Sequence, residues 1–318
     1  MSVLVEAKEL KKYFDTKSGQ LHAVDGINFQ IEEGRTLGVV GESGCGKSTL
    51  GRTILHLLES TDGQLFFEGK DVTKLDKEGL KALRRQAQMI FQDPYSSLNP
   101  RMTVSQLIAE PLKIEKQLSK ADVEKKVLEL MDTVGLARRL FHTYPHELDG
   151  GRRQRIGVAK ALAVNPKFIV CDEPVSALDV SIQAQILNLL KDLQEERGLT
   201  YMFITHDLSV VKYISHDIMV MYLGQMVEKG PAKEIFDTTI HPYTKALFSA
   251  LPQPSIHNRQ ERILLKGELS SPINPKPGCR FAKRCIYAKD ICFAESPALE
   301  EYEPNHMVAC HFAHEINK

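Results

Sequence analysis

Gly41-Glu42-Ser43-Gly44-Cys45-Gly46-Lys47-Ser48-Thr49 has the residue types and spacing that hold a polyphosphate. Glycines allow a tight turn that presents successive backbone N–H groups, and a helix N-terminus adds the positive end of its dipole at the same spot. Lys47 has the reach for β- and γ-phosphates, and the Ser48 hydroxyl is an oxygen ligand for Mg²⁺. The apolar run Phe168-Ile169-Val170-Cys171 ends in Asp172 and Glu173. A buried strand of this kind delivers Asp172 to the mouth of the loop, where a carboxylate holds Mg²⁺, commonly through water. Glu173 is placed to orient or deprotonate an attacking water. An apolar run ending in Asp-Glu is weak alone; it gains meaning from the loop, since hydrolysis of a Mg-nucleotide needs both.

The elements that must position these groups can be read from periodicity. Thr36-Leu37-Gly38-Val39-Val40 reads as a buried strand into the loop, and the residues after Ser48 read as a helix. Residues 3–40 alternate apolar and polar over short stretches, as do Gln64–Lys70, which predicts antiparallel strands. Gln88–Gln92 reads as another buried strand. Between 103 and 142, Val104, Leu107, Ile108, Val123, Val127, Leu130, Met131 and Val134 recur at helical spacing, which predicts a helical insert. Strand and helix then alternate through Phe168–Cys171, Ile182–Glu196, Tyr201–Thr205, Leu208–Ser215 and Ile218–Leu223. That order argues for an α/β fold with a largely parallel sheet and helices on its faces. From about Pro252 proline is frequent and periodicity is lost, so a linker into a small cysteine-bearing appendage is expected.

Composition narrows the function. A chain of 318 residues suggests about two units. Basic and acidic residues number 41 each, which argues for neither nucleic acid nor an acidic membrane as partner. No apolar run approaches the roughly 18 residues of a membrane span, and the start lacks a secretory pattern, so a soluble, cytoplasmic chain is expected. Of six cysteines, Cys45 and Cys171 lie in the nucleotide motifs and read as small fillers, Cys45 being open to oxidation if exposed. Cys279, Cys285, Cys292 and Cys310 fall in the last 40 residues, separated by five, six and seventeen residues. No CxxC pair occurs, which is poor spacing for a zinc ribbon, and a cytoplasmic chain disfavours disulfides.

Three further motifs complete the pattern. Leu148-Asp149-Gly150-Gly151-Arg152-Arg153-Gln154-Arg155 precedes Asp172, Ser176-Ala177-Leu178-Asp179 follows Glu173, and Thr205-His206-Asp207 ends the next strand. With them the chain resembles, over residues 3–251, the ATP-binding subunit of an ABC transporter. The resemblance implies an ABC-type P-loop domain over 1–251: a mostly parallel sheet with an antiparallel β subdomain and a helical subdomain at about 93–160. It also implies a head-to-tail dimer, in which each ATP lies between one chain's phosphate loop and the partner's signature loop. On that carry-over Gly41, Ser43, Gly44, Cys45, Gly46, Lys47, Ser48 and Thr49 bind nucleotide, and Asp149, Gly150 and Gly151 meet the nucleotide of the opposite chain. Gln92 becomes the residue that senses Mg²⁺ and the membrane partner, and His206 the switch histidine at the γ-phosphate. Asp179 belongs to the loop linking the two sites, and Tyr13 stacks on adenine. Each has a bland rival: His206 as a satisfied strand-end histidine, Tyr13 as an edge-strand aromatic with Phe14 competing for its role.

Phe91-Gln92-Asp93-Pro94-Tyr95-Ser96-Ser97-Leu98-Asn99-Pro100-Arg101 and His241-Pro242-Tyr243-Thr244-Lys245-Ala246-Leu247, followed by the cysteine tail, are similar to dipeptide and oligopeptide importers. This extends the resemblance to the whole chain, with 252–318 as the importer extension. It implies a second ATP-binding subunit, two membrane permease subunits and an external peptide-binding protein, with the chain peripheral at the cytoplasmic face of the inner membrane. It further implies a 4Fe-4S cluster on the four tail cysteines as a structural staple, with Arg280, Lys283, Arg284 and Lys289 offsetting its charge; zinc, or no metal, stay open. Alternatives are an importer for nickel or another small solute, or a soluble ABC protein of DNA repair or translation. The single phosphate loop and short insert favour the importer. One departure stands out. The family's Leu-Ser-Gly-Gly-Gln is here Leu148-Asp149-Gly150-Gly151-Arg152. Ionised Asp149 only accepts hydrogen bonds, and a like charge about 4 Å away at a dielectric of about 20 repels it by about 4 kcal/mol before Mg²⁺ and Arg152 screen it. Aspartate caps a helix about as well as serine, so the local fold should survive.

Overall fold

The computed structural model describes residues 2–114, 118–250, 263–265, 267 and 271–317. In chain order its elements are β1 (Val3–Thr16), β2 (Gly19–Glu32), β3 (Thr36–Val40), α1 (Lys47–Ile54), β4 (Asp62–Phe67), β5 (Lys70–Asp71), α2 (Lys77–Gln86), β6 (Ala87–Ile90) and α3 (Pro94–Ser97). There follow α4 (Val104–Ile114), α5 (Lys120–Thr133), α6 (Gly150–Leu162), β7 (Phe168–Asp172), α7 (Val180–Arg197), β8 (Thr200–Ile204), α8 (Leu208–Ile214), β9 (Asp217–Tyr222) and β10 (Gln225–Pro231). Last come α9 (Ala232–Asp237), α10 (Pro242–Ser249), α11 (Asp290–Ala294), β11 (Glu300–Glu303), β12 (His306–Val308) and α12 (Ala313–Ile316). None of the described helices is long and apolar enough to cross a membrane. The expected boundary between residues 251 and 252 falls on 251–262, outside the described residues.

Two compact units result, residues 1–74 with 203–318 and residues 75–202. The first contains an antiparallel sheet of order β2-β1-β4-β5, as the alternating pattern predicts. Leu10, Val24, Ile27, Phe29 and Ile31 are among its buried side chains. The same unit holds the run β11-β12-β10-β9-β3. There β3 lies parallel to β9, with Val39 opposite Met219, while β9, β10 and β12 are antiparallel in turn. Both β3 and β9 are fully apolar-buried at their centres, which is why they read as continuous hydrophobic runs rather than alternating ones.

The tail differs from the appendage expected of it. β12 pairs with β10, Glu228 opposite Val308, and β11 pairs with β12, so the last residues extend the sheet. Phe281 is buried in an aromatic cluster with Tyr222 and Tyr243, ring centroids 5.3 and 5.5 Å away. The sheet is therefore mixed rather than mostly parallel at this end. Strands of three or four residues are too short to show a period, which is why the sequence reads as irregular here.

The second unit pairs β6 and β7 in parallel, Ile90 opposite Cys171. Its insert is helical as the spacing predicts. Val104, Leu107 and Ile108 of α4 and Val127, Leu130 and Met131 of α5 are all buried. Ser119 starts α5 by accepting the Asp122 N–H at 3.2 Å.

Candidate functional site

The phosphate loop is built by close approach. A Cβ at Gly41 would stand 2.2 Å from the Met221 carbonyl oxygen, and one at Gly46 2.0 Å from that of Ala23. Both residues also have positive φ, 150° and 104°, so glycine is required on two counts. Lys47 is buried, and its ammonium donates to the carbonyls of Gly41 at 2.7 Å and Glu42 at 3.0 Å. That arrangement fixes the loop from inside and holds a cation where a polyphosphate needs one. Ser48 and Thr49 continue into α1, whose cap, Gly46, offers no side chain to the first-turn N–H groups. Cys45 is buried beside Lys47; burial pushes its thiol up while the Lys47 charge pulls the other way, so it remains a neutral filler.

Two side-chain sets brace this unit. The Glu42 N–H donates to the Tyr243 hydroxyl at 2.8 Å, and Arg284 grips the Glu42 carboxylate with both terminal nitrogens, at 2.6 and 3.0 Å. Tyr13 stacks on His22, centroids 3.8 Å apart, and its hydroxyl donates to Asp25, which also receives Arg280. Burial would raise Asp25, yet the Tyr13 hydroxyl, the Arg280 charge and His22 hold it below the usual carboxylate range. Phe14, the rival of Tyr13, instead lies under the Lys12 ammonium at 4.8 Å. His206 follows β8, with Asp207 next to it starting α8 through its carboxylate, which accepts the Ser209 N–H at 2.8 Å.

In the second unit Asp172 is buried at the end of β7. Glu173 takes φ of 47°, a left-handed conformation uncommon for this residue type. Strain of this sort concentrates at functional positions. The Gln92 amide donates to the Glu173 carboxylate at 2.9 Å, so two residues assigned separate roles meet directly. Gln183, which sequence reading overlooked, donates to the carbonyls of Val175 at 3.0 Å and Leu178 at 2.9 Å and so holds the turn ahead of Asp179. Asp179 stands at the start of α7. Asp149 caps α6, accepting the Arg152 N–H at 2.8 Å, with the Arg152 guanidinium 3.4 Å from its other oxygen. A Cβ at Gly151 would meet Ile182 at 2.6 Å, and one at Gly150 would meet Leu178 at 3.0 Å.

Cys279, Cys285, Cys292 and Cys310 line one small pocket together with His241 and Phe281. Burial, and after it the charges of the other three sulfurs, push Cys279 up to about 11. Among the described residues no group of three or more His, Cys, Asp or Glu is arranged to hold a metal ion, so neither the expected iron–sulfur centre nor a zinc site is formed by the side chains as they stand. Three of the four basic residues expected to offset a cluster are engaged elsewhere: Arg280 with Asp25, Arg284 with Glu42, and Lys289 with Glu315 at 2.8 Å.

The ABC transporter family matches residues 24–176, and the oligopeptide/dipeptide transporter C-terminal region matches 227–292. The oligopeptide transport ATP-binding protein AppF of Bacillus subtilis is 50% identical, covering 97% of both chains. The dipeptide transport ATP-binding protein DppF of Haemophilus influenzae is 49% identical, covering 96% of both. Among solved structures, the dimeric post-hydrolysis state of the ATP-binding cassette MJ0796 bound to ADP and Pi aligns with a TM-score of 0.67 at 30% identity. It covers 72% of this chain and 99% of that one.

Proposed function

From a chain that belongs to the ATP-binding subunits of ABC transporters, in their oligopeptide/dipeptide branch, we propose an ATPase that drives uptake of dipeptides or oligopeptides through a membrane importer. The observation that carries this reading is the phosphate loop itself. Gly41 and Gly46 leave no room for a side chain, a buried lysine spans the loop, and the helix behind it begins without a side-chain cap. Relatives at about half identity are named for peptide transport over nearly the full length of both chains, which supports peptides over nickel as the cargo.

In this proposal Lys47 and the loop N–H groups of Ser43, Gly44 and Gly46 hold the phosphates. The Ser48 hydroxyl and the Asp172 carboxylate are oxygen donors, the class Mg²⁺ takes. When bound, Mg²⁺ neutralises charge on the β- and γ-oxygens. Glu173 takes the proton of the attacking water, and the Gln92 amide fixes which oxygen of that carboxylate is available. His206 contacts the γ-phosphate, Tyr13 the adenine, and Asp149 with Gly150 and Gly151 the nucleotide of a second ATP-binding subunit. Asp179 relays between the two sites. The remaining partners are two permease subunits and an external peptide-binding protein, which puts the chain at the cytoplasmic face of the membrane.

The tail is read as a 4Fe-4S holder, with zinc as the alternative. Four sulfurs on one pocket are the donor set that such a cluster would take. Such a group would staple the segment between Cys279 and Cys310.

Reconstitution with permeases and binding protein tests the main reading. ATP-dependent peptide uptake that stops with Glu173→Gln supports it; uptake of nickel but not peptides would move the cargo assignment.

A further inference from the structure

Residue 42 is held at three points. Its N–H donates to Tyr243, its carbonyl accepts from Lys47, and its carboxylate takes a two-pronged grip from Arg284. Two of those partners, Tyr243 and Arg284, lie in the segment matched by the transporter C-terminal family. The pair with Arg284 is not an ordinary surface contact. The arginine side chain is 11% exposed and that of Glu42 28%. Two parallel N–H···O bonds to a carboxylate fix orientation as well as charge. Glu42 also presents a chemical problem: it is an anion inside a loop shaped for a polyanion, and repulsion between them weakens binding unless a cation offsets it. A second arm runs alongside, where Arg280, 8% exposed, holds Asp25, which in turn holds the hydroxyl of Tyr13.

We propose that the C-terminal segment is part of the nucleotide site, with Arg284 a positioning residue that neutralises Glu42 and sets the shape of the phosphate loop. The inference rests on the reading of that loop as the phosphate site. Its consequence is that ATP affinity depends on a segment more than 200 residues downstream, Glu42 and Arg284 being 242 apart.

The test is a charge cycle on the purified full chain, with Mg-ATP binding measured by calorimetry and thermal melting as a control for folding. Arg284→Gln leaves Glu42 bare and should raise the Kd for Mg-ATP about tenfold, the size expected of directly coupled neighbours. Arg284→Lys, which restores charge without the fork, should fall between. Glu42→Gln combined with Arg284→Gln should return affinity to within about threefold of the starting protein, because the offending charge is gone. In the assembled ATPase, Arg284→Gln should raise KM for ATP while kcat stays near its original value. Lys47→Ala separates the two readings. If it abolishes binding and Arg284→Gln does not change it, the tail has no part in the site. If the double variant stays as weak as Arg284→Gln alone, Arg284 does not act through Glu42 and the proposal falls. If Lys47→Ala binds normally, the loop is not the phosphate site and this inference goes with it.

Discussion

Two glycine-rich helix starts in this chain look alike in sequence and differ in kind. Before α1, Gly46 caps the helix with no side chain, and the loop is braced from outside by Tyr243 and Arg284. Before α6, Asp149 folds back on its own helix and takes the Arg152 N–H, while both side chains remain about half exposed. A helix N-terminus has orphan donors that something must satisfy. At α1 the cap residue claims none of them with a side chain; at α6 an internal carboxylate already claims one. The helix behind the phosphate loop lacks a side-chain cap and is held by other means. The phosphate loop of this chain is therefore prebuilt, and the loop proposed to meet a second subunit's nucleotide carries its own competitor.

The strongest way to break this comparison is to disable the prebuilt loop. Lys47→Ala should weaken Mg-ATP binding by about 100-fold or more, since it removes a charge-assisted contact in a buried site. Glu173→Gln should instead leave affinity within about threefold and cut turnover by about 10²–10⁴-fold, the range for loss of a general base. Calorimetry and a phosphate-release assay read the two; near-normal turnover by Glu173→Gln would remove it from catalysis.

The tail gives the next effect. Purified without oxygen, the chain should be brown and contain iron with sulfide. Serine at Cys279, Cys285, Cys292 or Cys310 should bleach it and open the tail to proteases. Since Arg280 and Arg284 adjoin Cys279 and Cys285, serine at either of those two should also lower Mg-ATP affinity by about tenfold, the size assigned to losing Arg284 itself. A colourless protein with stoichiometric zinc would replace the cluster but keep the ligands; full metal retention in all four variants would discard both.

At the exposed loop the effect is smaller. Asp149→Ser with Arg152→Gln, made in a Glu173→Gln background, should strengthen ATP-driven dimerisation by about fivefold to tenfold, because exposed charges are partly screened. Gel filtration with and without ATP measures it, and no change would mean that Arg152 already neutralises Asp149. A separate effect, on stability and not on nucleotide binding, concerns acid. Burial lowers the His241 imidazole from 6.5 to about 4, with Glu228 acting in the opposite sense. The unfolded chain therefore takes up this proton first, so its contribution is complete above pH 6.5 and is lost as pH falls toward 4. The loss is at most about 3 kcal/mol, and His241→Gln, which keeps an acceptor for the Tyr243 N–H, should flatten that part of a stability-against-pH curve.

Much of the proposed site was legible because local signals carry it. A buried strand, glycine spacing and a following helix identify the phosphate loop without any knowledge of distant residues, and helical spacing identifies α4 and α5. What the sequence withheld is of two sorts. Contacts such as Arg284 with Glu42 and Arg280 with Asp25 join residues 242 and 255 apart, and no periodicity encodes a pairing of that range. Backbone states such as the left-handed Glu173 depend on what packs around the turn, and residue type alone argued against it. The cap at Asp149 was readable, being a preference of the residue itself; the directions of the tail arginines were not.

The pairing of β12 with β10 carries a consequence for synthesis. Glu228 and Val308 face each other across that pair. A ribosome adding about 5–20 residues per second needs several seconds to pass from one to the other. Throughout that interval β10 is an open sheet edge, and an open edge invites pairing with another chain. The brace on Glu42 is likewise missing until Arg284 emerges. A nascent chain cut short before Arg284 would thus expose a sticky edge and lack the clamp on Glu42, a residue made long before the one that holds it.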